Sequence, residues 1–120
     1  MRLPKEEFVR LAKQAVDSLP ERFLECMENV SIDVQPEPSA EVLEKAGVED
    51  RRDLLGWYDG VPLTEKSVDA LYDLPEVILI YQRNLERICE SRAEVVEEIR
   101  LTVLHEIAHH FGLEDDEMPY

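Results

Sequence analysis

All three histidines of the chain fall in one window near its end, LTVLHEIAHHFGLEDDEMPY, at His105, His109 and His110, with Glu106 between the first two. A helix turns about 100° per residue, so side chains four apart project from one face, one turn apart. His105 and His109 can therefore chelate a single ion. Glu106 lies about 100° further round, too far to join them comfortably as a ligand, yet within reach of a water that the metal holds. This is the chemistry of HExxH: two imidazoles bind zinc, which lowers the pKa of its water to about 7, and the carboxylate takes the proton.

A zinc site of this kind takes a third protein ligand and keeps a fourth position open. Gly112 allows the chain to turn back after the helix, and Asp115 follows three residues later, giving HEIAHHFGLED. The spacing from the glycine favours Asp115 as third ligand, with Glu114 and Asp116 as competing oxygen donors. His110 lies about 100° beyond His109, off the chelating stripe, and reads as a hydrogen-bonded structural histidine. Met118 reads as packing.

These residues need a helix to carry them, and the pattern predicts one from about Arg92 to Phe111. On it Glu98, Thr102, His105 and His109 form a narrow polar stripe. Val96, Leu101, Val103, Leu104, Ile107, Ala108 and Phe111 take most of the remaining surface. A helix that apolar should be largely buried, with its polar stripe facing a cleft or a partner.

The preceding chain reads as support. KEEFVRLAKQAVDSL after Pro4 is an amphipathic helix with Phe8, Leu11, Ala12, Ala15 and Leu19 at helical spacing, and ERFLECMENV is a second, shorter one. VSIDVQ alternates as a half-buried strand ended by Pro36 and Pro38. SAEVLEKAGVEDRRD is polar and reads as a short helix closed by Gly47, or else as a mobile loop. LLGWYDGVPLT reads as a strand running into a turn at Asp59-Gly60, and EVILIYQ as the strongest strand. EKSVDALYDLP connects those two, and NLERICESRAE forms a helical turn or two before the last helix. Helices, three strands and a terminal helix make an α+β chain, and its 120 residues form one domain, 1–120.

Charge and composition remove several function classes. With 28 acidic and 13 basic residues the net charge is -15, a field that repels phosphate backbones and anionic lipid, so neither nucleic acid nor membrane is an expected partner. No apolar run reaches the roughly 20 residues of a membrane span, and MRLPKEEFVR lacks the apolar core of a secretory leader. Cys26 and Cys89 stand far apart and read as buried or free thiols. Tyr58, Tyr81 and Tyr120 are options for stabilising an oxyanion, each more readily explained as packing.

On HEIAHHFGLED, LLGWYDGVPLTEK and VILIYQRNL the chain resembles the small bacterial zincin-like metallopeptidases, also called minimal metalloproteases. The resemblance runs from the first amphipathic helix to Asp115. It implies a minimal zincin-like α+β fold in the cytoplasm, a small mixed sheet packed on helices with a C-terminal active-site helix. It also implies zinc on His105, His109 and Asp115, with Glu106 as general base. The expected substrate is a peptide or protein lying extended along a sheet edge, for which VILIY is the candidate strand. The alternative is a metal-binding interaction protein that keeps the fold with little or no hydrolysis. A purely structural metal site would have no use for Glu106.

Overall fold

In the computed structural model, residues 1–59 and 76–111 are described. Helix α1 (Lys5–Asp17) leads into the short α2 (Glu21–Cys26), a 3-10 turn at Met27–Asn29 and strand β1 (Val30–Gln35). Helix α3 (Ala40–Ala46) and a second 3-10 turn, Arg51–Asp53, precede β2 (Gly56–Asp59). Strand β3 (Glu76–Tyr81) runs directly into α4 (Gln82–Ile88), and α5 (Arg92–Phe111) follows. This is an α+β fold with a small mixed sheet, as the sequence predicts.

The sheet order is β1-β3-β2, with β3 parallel to β1 and antiparallel to β2. VILIY is therefore the central strand, and the expectation that it forms the edge is corrected. The physical reason lies in the run itself. Ile78 and Ile80 join the core shared with the helices, while Leu79 and Tyr81, which alternate with them, are buried as well. A strand apolar at every position is one covered on both faces and both sides. The edges belong to the strands with polar alternation, β1 and β2.

Helix α5 is the spine of the core. Val95, Ile99, Val103, Leu104 and Ile107 are fully buried, packed with Phe8, Ala12 and Ala15 of α1, with Phe23 of α2, and with Val34, Ile78 and Ile80 of the sheet. Its start is set by Ser91, whose Oγ accepts from the Glu94 amide at 3.1 Å. The polar segment SAEVLEKAG does form a helix. Ser39 Oγ accepts from the Val42 amide at 3.2 Å, and Gly47 closes α3 at φ 70°, a left-handed position that suits glycine.

The first residues are tied to α4 by a buried carboxylate. Glu86, only 2% exposed, accepts from the Leu3 amide at 2.9 Å, Gln82 Nε2 at 3.0 Å and an Arg83 guanidinium nitrogen at 2.7 Å. Gln82 Nε2 also donates to the Leu3 carbonyl at 2.8 Å. Burial alone would raise the Glu86 pKa, but the bonds from Gln82, Arg83 and Leu3 outweigh it and hold the carboxyl below its ordinary value. A depressed folded pKa contributes stability that is complete above the unfolded carboxylate range and is lost as pH falls through the folded value. Glu86→Gln should thus cost about 2 kcal/mol at neutral pH. Urea unfolding across pH should show the difference from wild type shrinking towards acid.

Candidate metal centre and catalytic carboxylate

Helix α5 brings three of the four sequence-predicted residues together. His105 and His109 are exposed on successive turns, and Glu106 beside them is half-buried. Asp115, with Glu114, Asp116 and the turn glycine Gly112, lies outside the described residues, as do Met118, Tyr120 and the Gly60 half of the expected turn. Among the described residues no group of three or more His, Cys, Asp or Glu side chains is gathered to hold a metal. What α5 supplies is a pair of accessible imidazoles, a donor set that suits zinc.

Glu106 is turned towards the sheet. One carboxylate oxygen accepts from the Tyr58 backbone amide at 2.7 Å, so the edge strand β2 grips it directly. Burial raises the Glu106 pKa, and the Tyr58 amide and the positive influence of His109 and His105 only partly oppose the shift. The result is a carboxylate with more proton affinity than an exposed one, still anchored as an acceptor. Both properties suit a general base.

The grip requires β2 to lie very close to α5, and Gly56 makes that approach possible. A Cβ at Gly56 would sit 2.5 Å from Cγ2 of Thr102 and 3.1 Å from the Leu79 carbonyl oxygen. Thr102 and Glu106 are four residues apart, so the helix face that meets Gly56 also presents the carboxylate to Tyr58. Thr102 therefore departs from expectation. It does not extend the histidine stripe into a cleft; it is buried, with its hydroxyl donating to the Glu98 carbonyl at 2.8 Å.

A second set of contacts fixes β2 at its outer end. The Tyr58 hydroxyl donates to Glu76 at 2.5 Å, and its ring stacks on His110 with centroids 3.8 Å apart and planes 11° from parallel. His110 Nε2 lies 3.7 Å from the other Glu76 oxygen. His110 thus packs against the edge strand, in keeping with its position off the chelating stripe. Burial, followed by the Glu76 carboxylate, pushes the Tyr58 phenol well above its usual range, so it stays a neutral donor. Tyr81 differs: its hydroxyl is buried with no hydrogen-bond partner among the described residues, and burial, then Asp59 and Glu106, push its pKa up to about 12.

The profile of zincin-like metallopeptidases matches residues 27–120. The chain belongs to that family. Its fold is also that of a conserved hypothetical protein from Thermus thermophilus, at 24% identity and a TM-score of 0.58, covering 91% of this chain and 94% of that one. No curated protein matches the chain significantly. Within this zincin-like chain, Gly56 and Glu76 help to fix β2 against α5 without any motif to mark them, and Tyr58 and Thr102 do so in roles other than those the sequence suggests. The one signal for them in the sequence is a glycine inside an apolar strand, which marks a close backbone approach.

Gly56→Ala should destabilise the protein by about 1–3 kcal/mol through overpacking. Thr102→Ser, which removes the clashing methyl and keeps the hydroxyl, should recover part of that loss in the double variant. Thermal unfolding of the four proteins in the cycle measures it, and strict additivity would contradict a direct Gly56–Thr102 contact.

Proposed function

We propose that this zincin-like chain is a zinc-dependent peptidase that hydrolyses peptide bonds with Glu106 as general base. The observation that carries the reading is the Glu106 carboxylate, half-buried and held by the Tyr58 amide beside two exposed imidazoles. A site that only bound metal would not need a carboxylate so placed. His105 and His109 would hold the zinc, with Asp115 as the third ligand proposed from spacing. Zinc bound there would supply a Lewis acid for the scissile carbonyl and would lower the pKa of a water to about 7.

The residues of this chain then divide the work. Glu106 takes the proton of the attacking water and delivers it to the leaving amine, and its raised proton affinity favours the first transfer. The Tyr58 amide keeps the carboxylate in place through both steps. β2, the edge strand lying against α5, is the rail along which a substrate would extend and pair its main chain. Neither tyrosine hydroxyl in the described residues is free to steady an oxyanion: that of Tyr58 is committed to Glu76, and that of Tyr81 is buried. The net charge of -15 favours basic over acidic peptides.

A cytoplasmic setting agrees with the state of the cysteines. Cys26 and Cys89 are both free, and burial pushes the Cys89 thiol up to about 11. No helix among the described residues is long and apolar enough to cross a membrane.

Elemental analysis after zinc reconstitution should give one zinc per chain, lost in His105→Ala and His109→Ala. Asp115→Ala should weaken zinc binding far more than Glu114→Ala. Glu106→Gln should keep the zinc while cleavage of a peptide library falls by about 10²–10⁴-fold. Zinc retained by the wild type with no cleavage of any peptide would instead favour a metal-binding interaction protein.

A further inference from the structure

Among the described residues the sheet ends at β1. Beside that strand a groove of about 360 Å³ opens between α1 and the sheet. Val9 and Val16 of α1 line one wall, and Ile32 and Val34 of β1 line the other. Val9 is 44% exposed, one of the few large apolar side chains so open among the described residues. The outer edge of β1 pairs with no described strand, which leaves main-chain donors and acceptors along the same groove.

Charge separates this groove from the rest of a strongly acidic molecule. Lys5 and Lys13 stand on its rim, both exposed and neither in an ion pair among the described residues. Several other cations are spent on neighbouring carboxylates: Arg83 on Glu86, Arg87 on Glu37, Arg92 on Glu7. Lys5, Val9 and Lys13 are spaced by four, so one line along α1 reads cation, apolar, cation. The ammonium groups are anchored about 12 Å apart along the helix, close to four residues of an extended strand. The one carboxylate lining the groove among the described residues, Asp33, already accepts from Gln35 Nε2 at 3.0 Å.

We propose that β1 and α1 form a docking site for an extended acidic segment of another protein. The segment adds as a fourth strand on the free edge of β1. Its apolar side chains fill the groove against Val9, Val16 and Ile32, and its carboxylates meet Lys5 and Lys13. The free edge sets the backbone requirement, the groove the side-chain period of two, and the lysines the sign of the charge. The site involves none of the histidine-helix residues and stands or falls independently of hydrolysis.

The probe is an octapeptide of alternating valine and serine in which two serines four residues apart are replaced by glutamate, titrated into the full chain and followed by NMR. Shifts should concentrate in the Val30–Gln35 amides and the Val9 and Val16 methyls. Lys5→Glu with Lys13→Glu, both at exposed positions, should weaken binding about tenfold, as should replacing the peptide's glutamates with lysines. Val9→Asp should abolish the shifts while leaving the thermal midpoint near that of wild type. The proposal is overturned by an absence of binding, by shifts centred on β2 and α5, or by equal binding of the peptide with lysines in place of its glutamates. It is overturned equally if decanoate gives the same shifts, or if they appear with rising protein concentration alone. Those results would assign the groove to a small amphiphile or to a second copy of the chain.

Discussion

A partly buried carboxylate has to find a donor, and in this protein the donor is a single main-chain amide of the neighbouring strand. The bond from the Tyr58 amide to Glu106 works only because β2 comes down onto α5, and β2 comes down only because Gly56 lacks a side chain opposite the Thr102 methyl. Strand position, helix position and the proton affinity of the carboxylate are thus one linked set. Moving the strand outward would hydrate Glu106, lower its pKa and free it to rotate. The stack of Tyr58 on His110 and its bond to Glu76 hold the same strand from the other side, so the residues that flank the imidazole pair share in fixing its neighbour.

The distribution of charge follows a similar division. Glu86 and Glu37 gather the arginines of α4 and the preceding loop, and Glu7 ties the start of α5 to α1. These contacts place the helices around α5. Lys5 and Lys13 of α1, which join none of them, border the groove beside β1, and the histidines are borne on α5 beside β2. The two edges of one small sheet therefore have different neighbours, two exposed lysines beside β1 and the Glu106 carboxylate beside β2.

Much of the secondary structure is legible in the sequence because it rests on local physics. Three and four residue spacing of apolar side chains marks α1 and α5, strict alternation marks β1, and the Ser39 and Gly47 caps bound α3. Strand order is a different matter. VILIY suggests an edge when the question is which strand is strongest, whereas burial asks which strand is covered on every side. A run without polar alternation answers that second question, and the same run read in that way points to the centre.

The divided roles of the histidines are legible from sequence because they depend only on helical phase: His105 and His109 share a face, and His110 leaves it. The place of Glu106 beside them is legible for the same reason. What holds that carboxylate cannot be read so, because Tyr58 and Glu106 are 48 residues apart and their contact depends on sheet order, strand register and a steric gap at Gly56. Thr102 shows the limit most plainly. Its helical phase places it correctly beside His105, but only the approach of a distant strand turns that position from solvent-facing to buried. Helical angle is a property of neighbouring residues along the chain, whereas burial belongs to whatever the rest of the chain brings against them.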